Sequence, residues 1–422
     1  LLTALWLSES SLAARVKLFR RATASKAASA FVEGRRRRDC GNWSELGIGR
    51  SISWSRHQGQ RPDAFASRRA ICAASGGSRE KPSARRLDHL KGLGAMKICI
   101  FGAGAVGGHM AVRLAQGGAD VSAIMRGENL RAVRENGLEL RAEGAVPIRV
   151  RLPVTDAPAE LGPQDVVVLS VKYRALAAAL EAIGLLVGPD TRIVSAMNGM
   201  PWWFAEGLPI AGEAALSDLL DPGRAFSRTV PADRWNACVV TSGNLVSEPS
   251  VITNTTPRRN KLRLGNSAGT IDPVVAEFAE LATAGGYDAR VVGDIRHDIW
   301  SKLLINAGIS SVATICEQTV AEICRDPRTR TLSIGAITDI MALGRKIGLA
   351  VEADPAAMTD PEAAPPHVTS FLQDLKAGQR PLEIDNGILA VAAIARSVGL
   401  AAPHLQAVAA VMGARSRGSV LD

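Results

Sequence analysis

Three glycines, Gly102, Gly104 and Gly107, stand in the spacing G-x-G-x-x-G. They directly follow the short apolar run Lys97-Ile-Cys-Ile-Phe101 and precede a helical stretch that reaches about Gln116. In that context each glycine has a physical reason. Gly102 permits a tight turn, Gly104 lets the backbone approach a pyrophosphate, and Gly107 lets helix and strand pack closely. The anion would lie at the helix N-terminus, where free N–H groups and the helix dipole favour negative charge. The whole turn, Gly102-Ala103-Gly104-Ala105-Val106-Gly107, is therefore read as a dinucleotide-binding loop. The competing reading is a turn that only joins strand to helix.

Two cations refine the cofactor. Dinucleotide sites that take NAD usually carry an acid after the second strand, to hold the ribose 2′-hydroxyl. Here that strand ends in Met125-Arg126-Gly127, so Arg126 can pair with a 2′-phosphate and NADP is expected. Lys172, after the third strand, is either a second cation near the cofactor or a solvated surface charge.

The elements that must position these residues alternate. Strands are expected at 97–101, 120–125, 166–171 and 192–197, with helices at 127–136 and 174–186. Strands alternating with helices imply parallel βαβ units. Runs at Cys238-Val-Val-Thr, Ser250-Val-Ile-Thr and Lys261-Leu-Arg-Leu are expected to extend the sheet as late, antiparallel strands. From about Asp294 the pattern turns helical, with apolar runs at 331–348, 367–377 and 385–399. The fold class is α/β: a Rossmann-type domain followed by an all-helical one. The boundaries expected are 96–292 for the first and 293–422 for the second. No repeat of 20–50 residues is visible.

Composition fits a globular chain: 422 residues, 47% hydrophobic and 22% charged. That excludes a collagenous, wholly disordered or disulfide-framework protein. No run approaching ~18 uncharged apolar residues is seen. Cys40, Cys72, Cys99, Cys238, Cys316 and Cys324 are scattered without a C-x-x-C pair. They read as reduced thiols of a cytoplasmic protein. The six histidines lack metal-ligand spacing, and no metal is expected. Asp294-Ile-Arg296-His297-Asp298 reads as helix capping plus solvated charge.

The net charge of +9 is unevenly distributed. Residues 1–95 carry 19 Lys/Arg against 7 Asp/Glu, while the remainder carries 31 against 34. The basicity thus belongs to a Ser/Arg/Ala-rich segment with an Arg35–Arg38 run and no sustained periodicity. With the first methionine at Met96, that segment is expected to lie outside the functional protein, as an over-extended translation start. A targeting peptide or a nucleic-acid-binding arm are the alternatives.

Three further signatures follow in order. Asn198-Gly199 comes after the fourth strand. Trp300-Ser-Lys302-Leu-Leu-Ile-Asn306 sets a lysine and an asparagine four apart, on one helix face. Ser370-Phe-Leu-Gln-Asp374 is followed by Glu383-Ile-Asp385. Together with the glycine turn they resemble the ketopantoate reductase (2-dehydropantoate 2-reductase) family, from 96 to about 410.

The resemblance implies reduction of a 2-oxo acid by NADPH, with ketopantoate going to pantoate in pantothenate and coenzyme A synthesis. It implies that Lys302 is the general acid. Negative charge develops on the carbonyl oxygen, so a positioned ammonium can stabilise it and donate a proton. The resemblance also implies that Glu383 belongs to the catalytic set, and that Asn306, Ser370 and Glu383 contact substrate hydroxyls. Asn198 would stand beside nicotinamide and lysine, serving both cofactor and substrate.

The chain departs from the family pattern in places. Ser310 stands where many members carry a second Asn, and the segment from Ser370 to Glu383 is one residue longer. Trp202-Trp203 follows Asn198-Gly199 where smaller polar residues are usual. Such an indole pair either packs the core or reshapes the substrate pocket. The alternatives are therefore a related reductase for another small 2-oxo acid, or a non-catalytic NADP-binding sensor. The partner expected is a small 2-oxo acid, without nucleic acid or membrane; a homodimer is left open.

Overall fold

The computed structural model describes residues 95–210 and 213–418. The expectations for residues 1–95 fall almost wholly outside these. Met96 is buried and leads into β1 (Lys97–Phe101). The glycine turn then opens α1 (Ala105–Gln116). Next come β2 (Asp120–Ile124), α2 (Gly127–Asn136), β3 (Leu138–Ala142), β4 (Ile148–Val150) and β5 (Val154–Thr155). β6 (Gln164–Leu169), α3 (Tyr173–Gly184) and β7 (Val187–Ser195) complete the alternating part.

Eight strands form the main sheet. Adding β8 (Trp235–Thr241), β11 (Lys261–Asn266) and β12 (Asp288–Val291), its order is β12-β11-β8-β7-β6-β1-β2-β5. Every neighbouring pair is parallel except β8 with β11. Side chains alternate between faces along a strand. Ile98 and Ile100 enter one core, whereas Cys99 and Phe101 enter the other. Val166/Val168 and Val167/Leu169 divide in the same way, so both faces of this parallel sheet are covered.

The Ser250–Thr253 run does not extend that sheet. It forms β10 (Val251–Asn254), in a second, four-stranded sheet of order β4-β3-β10-β9, with β9 spanning Asn244–Glu248. There β10 pairs with β3 in parallel and with β9 in antiparallel register. Ile252 packs against α1 so closely that a Cβ on Gly108 would lie 2.8 Å from its side chain. Burial of Ile252 on α1 thus directs β10 away from the main sheet. α6 (Pro273–Ala284) follows β11, with α4 (Glu213–Leu220) and α5 (Ala225–Thr229) preceding β8. Asp272 caps α6 by accepting from the amides of Val274 and Val275.

The remaining described residues are mainly helical. α7 (Ile295–Ile305) runs through a π-helical turn, Asn306–Ser310, into α8 (Ser311–Cys316). α9 (Val320–Arg325), α10 (Pro327–Lys346), α11 (Pro355–Met358) and α12 (Ser370–Lys376) follow. A second π-helical turn, Asp385–Leu389, precedes α13 (Ala390–Ser397) and α14 (Pro403–Arg417). The run expected to be one helix over 385–399 is therefore broken at its start, where Gly387 leaves helical geometry.

Two expectations about α7 change. The run Ile295–Cys316 is long and apolar enough to cross a membrane by length and composition, because charge is confined to its first turn and Lys302. Yet 67% of its apolar window is buried inside the protein, as in a core helix. Nor is Arg296 a solvated charge. It donates to the carbonyls of Phe204, Ser267 and Glu206 at 2.9–3.0 Å and sits 5.3 Å over the Trp203 ring.

Candidate active site

The glycine turn joins the C-terminal end of β1, between β2 and β6. Gly102 adopts φ +99°, and a Cβ there would lie 2.5 Å from Val171. Its amide donates to Ile124 at 3.0 Å, and its carbonyl accepts from the Ser170 hydroxyl at 3.0 Å. A Cβ on Gly107 would collide with Ser170 and with the Gly102 carbonyl. Gly104 differs: it stands at the N-cap of α1, makes no side-chain cap, and a Cβ there would meet nothing within 4 Å. Packing thus explains Gly102 and Gly107, whereas the space beside Gly104 is open. Such an open, uncapped helix N-terminus fits a pyrophosphate. Ala103 is buried beneath the turn, while Ala105 and Val106 begin α1.

Phe101 pairs with Ile124, so the ends of β1 and β2 lie side by side. Arg126 follows at the N-cap of α2, exposed and without an ion-pair partner among the described residues. Lys172 stands otherwise. Its ammonium pairs with Asp374 at 2.7 Å on the surface, with its side chain 54% exposed. Arg174 likewise pairs with Asp385 at 2.8 Å, and the Tyr173 amide between them donates to Glu383. Three successive residues at the head of α3 are thus clasped from the helical part of the chain.

A cavity of about 550 Å³, counting its open mouth, lies at the C-terminal ends of the parallel strands. Open α/β sheets bind ligands at that edge. Lys302, Asn198 and Asn306 all line it, with Ser195, Cys238 and Asn386. Lys302 sits in the last turn of α7 and donates to the Val240 carbonyl at 2.8 Å. Burial pushes its pKa down to about 8, and the neighbouring Cys238 opposes the shift weakly. Asn306 begins the π-helical turn. Such turns re-aim side chains and are frequent at functional sites.

Asn386, from the other π-helical turn, is a residue the sequence reading missed. Its side-chain amide donates to Asn198 at 2.8 Å and to Met200 at 3.3 Å, and its carbonyl accepts from Met200 N at 2.7 Å. Gly199 explains itself here. It adopts φ +87°, and a Cβ would lie 2.6 Å from Asn386. The Asn-Gly pair is required by this clasp, a contact 188 residues apart that no local spacing reveals.

Glu383 borders a smaller adjoining space, about 250 Å³, which Asn198, Asn306 and Asn386 also border. Burial raises its pKa, partly offset by the Tyr173 amide and Lys172. The extra residue before it does not remove it from the cleft. Ser370 is the departure: it is exposed in the first turn of α12 and lines neither space. The cap there is Thr369, which accepts from Leu372 N, so helix capping positions Thr369 inward and Ser370 outward. Ser310 is buried but also lines neither space. The two indoles divide: Trp203 is core, whereas Trp202 lines the larger cavity.

Family comparison decides the class. Residues 98–205 match the family described as ketopantoate reductase PanE/ApbA, and residues 294–416 match its C-terminal part. A 2-dehydropantoate 2-reductase from Mesorhizobium japonicum is 35% identical over 323 residues, covering 75% of this chain and 97% of the relative. The chain belongs to the ketopantoate reductase family. It is an oxidoreductase acting on CH–OH groups, with a nicotinamide dinucleotide as cofactor. A ketopantoate reductase structure from Ralstonia solanacearum aligns with TM-score 0.67 at 31% identity, over 75% of this chain and 96% of that one. A D-mandelate dehydrogenase bound to NADH and anilino(oxo)acetate shares the fold at TM-score 0.64 and 20% identity, over 76% and 98%.

Proposed function

We propose that this ketopantoate reductase family member reduces a 2-oxo acid to its 2-hydroxy acid with NADPH. The 35%-identical relative supports 2-dehydropantoate, going to pantoate, as the first substrate to test. The observation that carries the reading is the Lys302 amine, lowered to about 8 within a cavity at the sheet's C-terminal edge. The reduced nicotinamide, when bound, supplies a hydride to the carbonyl carbon. Lys302 gives its proton to the carbonyl oxygen as negative charge develops there, and regains one from solvent. Its hydrogen bond to Val240 fixes the amine while other N–H groups remain to meet substrate.

Asn198 and Asn306 supply amide groups that orient substrate, and Glu383 accepts from a substrate hydroxyl at the adjoining space. Gly102 through Gly107 hold the pyrophosphate, and Arg126 takes the 2′-phosphate of NADP. The cofactor domain is assigned to 96–292 and the helical, substrate-side domain to 293–422. The protein acts on a small molecule in the cytoplasm. The test is loss of NADPH absorbance with a panel of 2-oxo acids. Turnover of at least one is expected, and failure with all of them would sink the reading.

A further inference from the structure

We propose that Arg296 is a positioning residue for the reaction: it fastens the loop that carries Asn198 and Trp202 to the helix that carries Lys302. The inference rests on the reductase reading above and adds a residue that lines neither of the two spaces.

After β7 the chain turns tightly, with the amides of Phe204 and Glu206 donating to the carbonyls of Pro201 and Trp203 at 3.0 and 3.1 Å. The carbonyls of Phe204 and Glu206 are then left to Arg296, whose guanidinium donates to both and to Ser267, ahead of α6. Backbone carbonyls in such a place need a donor, and a planar fork supplies several at once. The aromatic rings add a second grip. Trp203 lies against the guanidinium, and Phe204 stacks on Trp300 with ring centroids 6.0 Å apart and planes 16° from parallel. Arg296 and Trp300 are four apart, so they share one face of α7. Two successive loop residues, Trp203 and Phe204, dock on that face, and both are fully buried.

Lys302 stands on the same helix, about 9 Å further along its axis at the rise of an α-helix. The loop and the amine are thus fastened to one stiff element, and α7 sets the distance between them. Asn386 holds the near end of the loop through Asn198 and Met200, and Arg296 holds the far end. Asn198 and Trp202 lie at and between these anchors, and both line the cavity with Lys302. Misplacing such a group by about 1 Å costs up to about 10²-fold in rate. Removing the Arg296 fork releases the far anchor and leaves Lys302, Asn386 and the glycine turn untouched.

The test is single-turnover reduction by the whole protein, with NADPH bound beforehand and held below the enzyme concentration. The acids are 2-dehydropantoate, pyruvate and phenylglyoxylate, each raised to saturation. The limiting rate constant does not depend on the folded fraction, so a purely structural loss leaves it unmoved. Arg296→Gln is expected to lower it by about 10- to 100-fold. Arg296→Lys is expected to lower it too, because a point-charge ammonium does not span three carbonyls, and it decides the matter where Arg296→Gln fails to fold. Arg330 is the control: on α10 it donates to the carbonyls of Thr359 and Ala356 and lines neither space. Arg330→Gln is expected to lower the melting temperature and keep the rate constant. An unchanged limiting rate constant in a folded Arg296 variant, or an equal fall in Arg330→Gln, overturns the proposal and leaves the reductase reading intact. No turnover of any of these acids by the unmodified protein overturns both.

Discussion

The Lys302 amine donates to the backbone carbonyl of Val240 at 2.8 Å, tying the last turn of α7 to β8. One carbonyl is a weak replacement for bulk water, so burial outweighs it and the amine holds its proton less firmly than a surface lysine. A donor with pKa near the working pH transfers its proton readily.

The pH dependence follows from that sign. The folded pKa is lowered to about 8, so the ammonium proposed as the proton donor predominates below pH 8 and is lost above it. The rate of 2-oxo acid reduction is expected to fall as pH rises through about 8. Measuring kcat/KM from pH 6 to 10 checks this. A profile flat to pH 10 would show that the amine is not the group that titrates.

Arg126 sets cofactor choice in this account. Arg126→Ala is expected to weaken NADPH binding by ~1–3 kcal/mol, the scale of a charge-assisted contact, with little effect on NADH. Calorimetric titration with both cofactors distinguishes the outcomes. Equal affinity of the unmodified protein for NADPH and NADH would remove Arg126 from the role.

The two glycines of the turn should separate packing from binding. Gly107→Ala drives a Cβ into Ser170 and the Gly102 carbonyl, and should cost ~1–3 kcal/mol of stability. Gly104→Ala meets nothing in the protein, so its melting temperature should hold while cofactor affinity drops. Thermal melts with and without NADPH read both effects. Undiminished NADPH binding by Gly104→Ala would contradict a pyrophosphate beside that residue.

Asn386 holds the Asn198–Met200 loop by three hydrogen bonds. Asn386→Ala leaves two carbonyls short of a donor and should cost ~1–3 kcal/mol, read by denaturant unfolding. Unchanged stability would mean that water replaces the amide freely.

These residues differ in how far the chain itself announces them. β1, β2, β6 and β7 are apolar runs bounded by turn residues, and periodicity suffices to locate them. β3 and β4 are not so written. Glu139 is buried in β3 with its carboxylate bonded by Arg149 and Arg141, which lower its pKa, and such a strand reads as polar. β10 reads as a strand, but its partner depends on where Ile252 finds α1. Lys302 and Asn306 are legible through helical spacing, and the glycine turn through its context. The partners of Lys172 and Asn198 lie 202 and 188 residues away, and only folding brings them together. Arg296 looks like a surface charge because three backbone carbonyls leave no trace in sequence.

The most direct test of proton donation by Lys302 is the single-turnover rate of Lys302→Ala with saturating NADPH and the best 2-oxo acid. NADPH affinity should be measured on the same preparation. The rate is expected to fall ~10²–10⁴-fold, the usual share of a positioned general acid, while NADPH affinity is retained because the glycine turn and Arg126 are untouched. A near-normal rate in Lys302→Ala would contradict the mechanism.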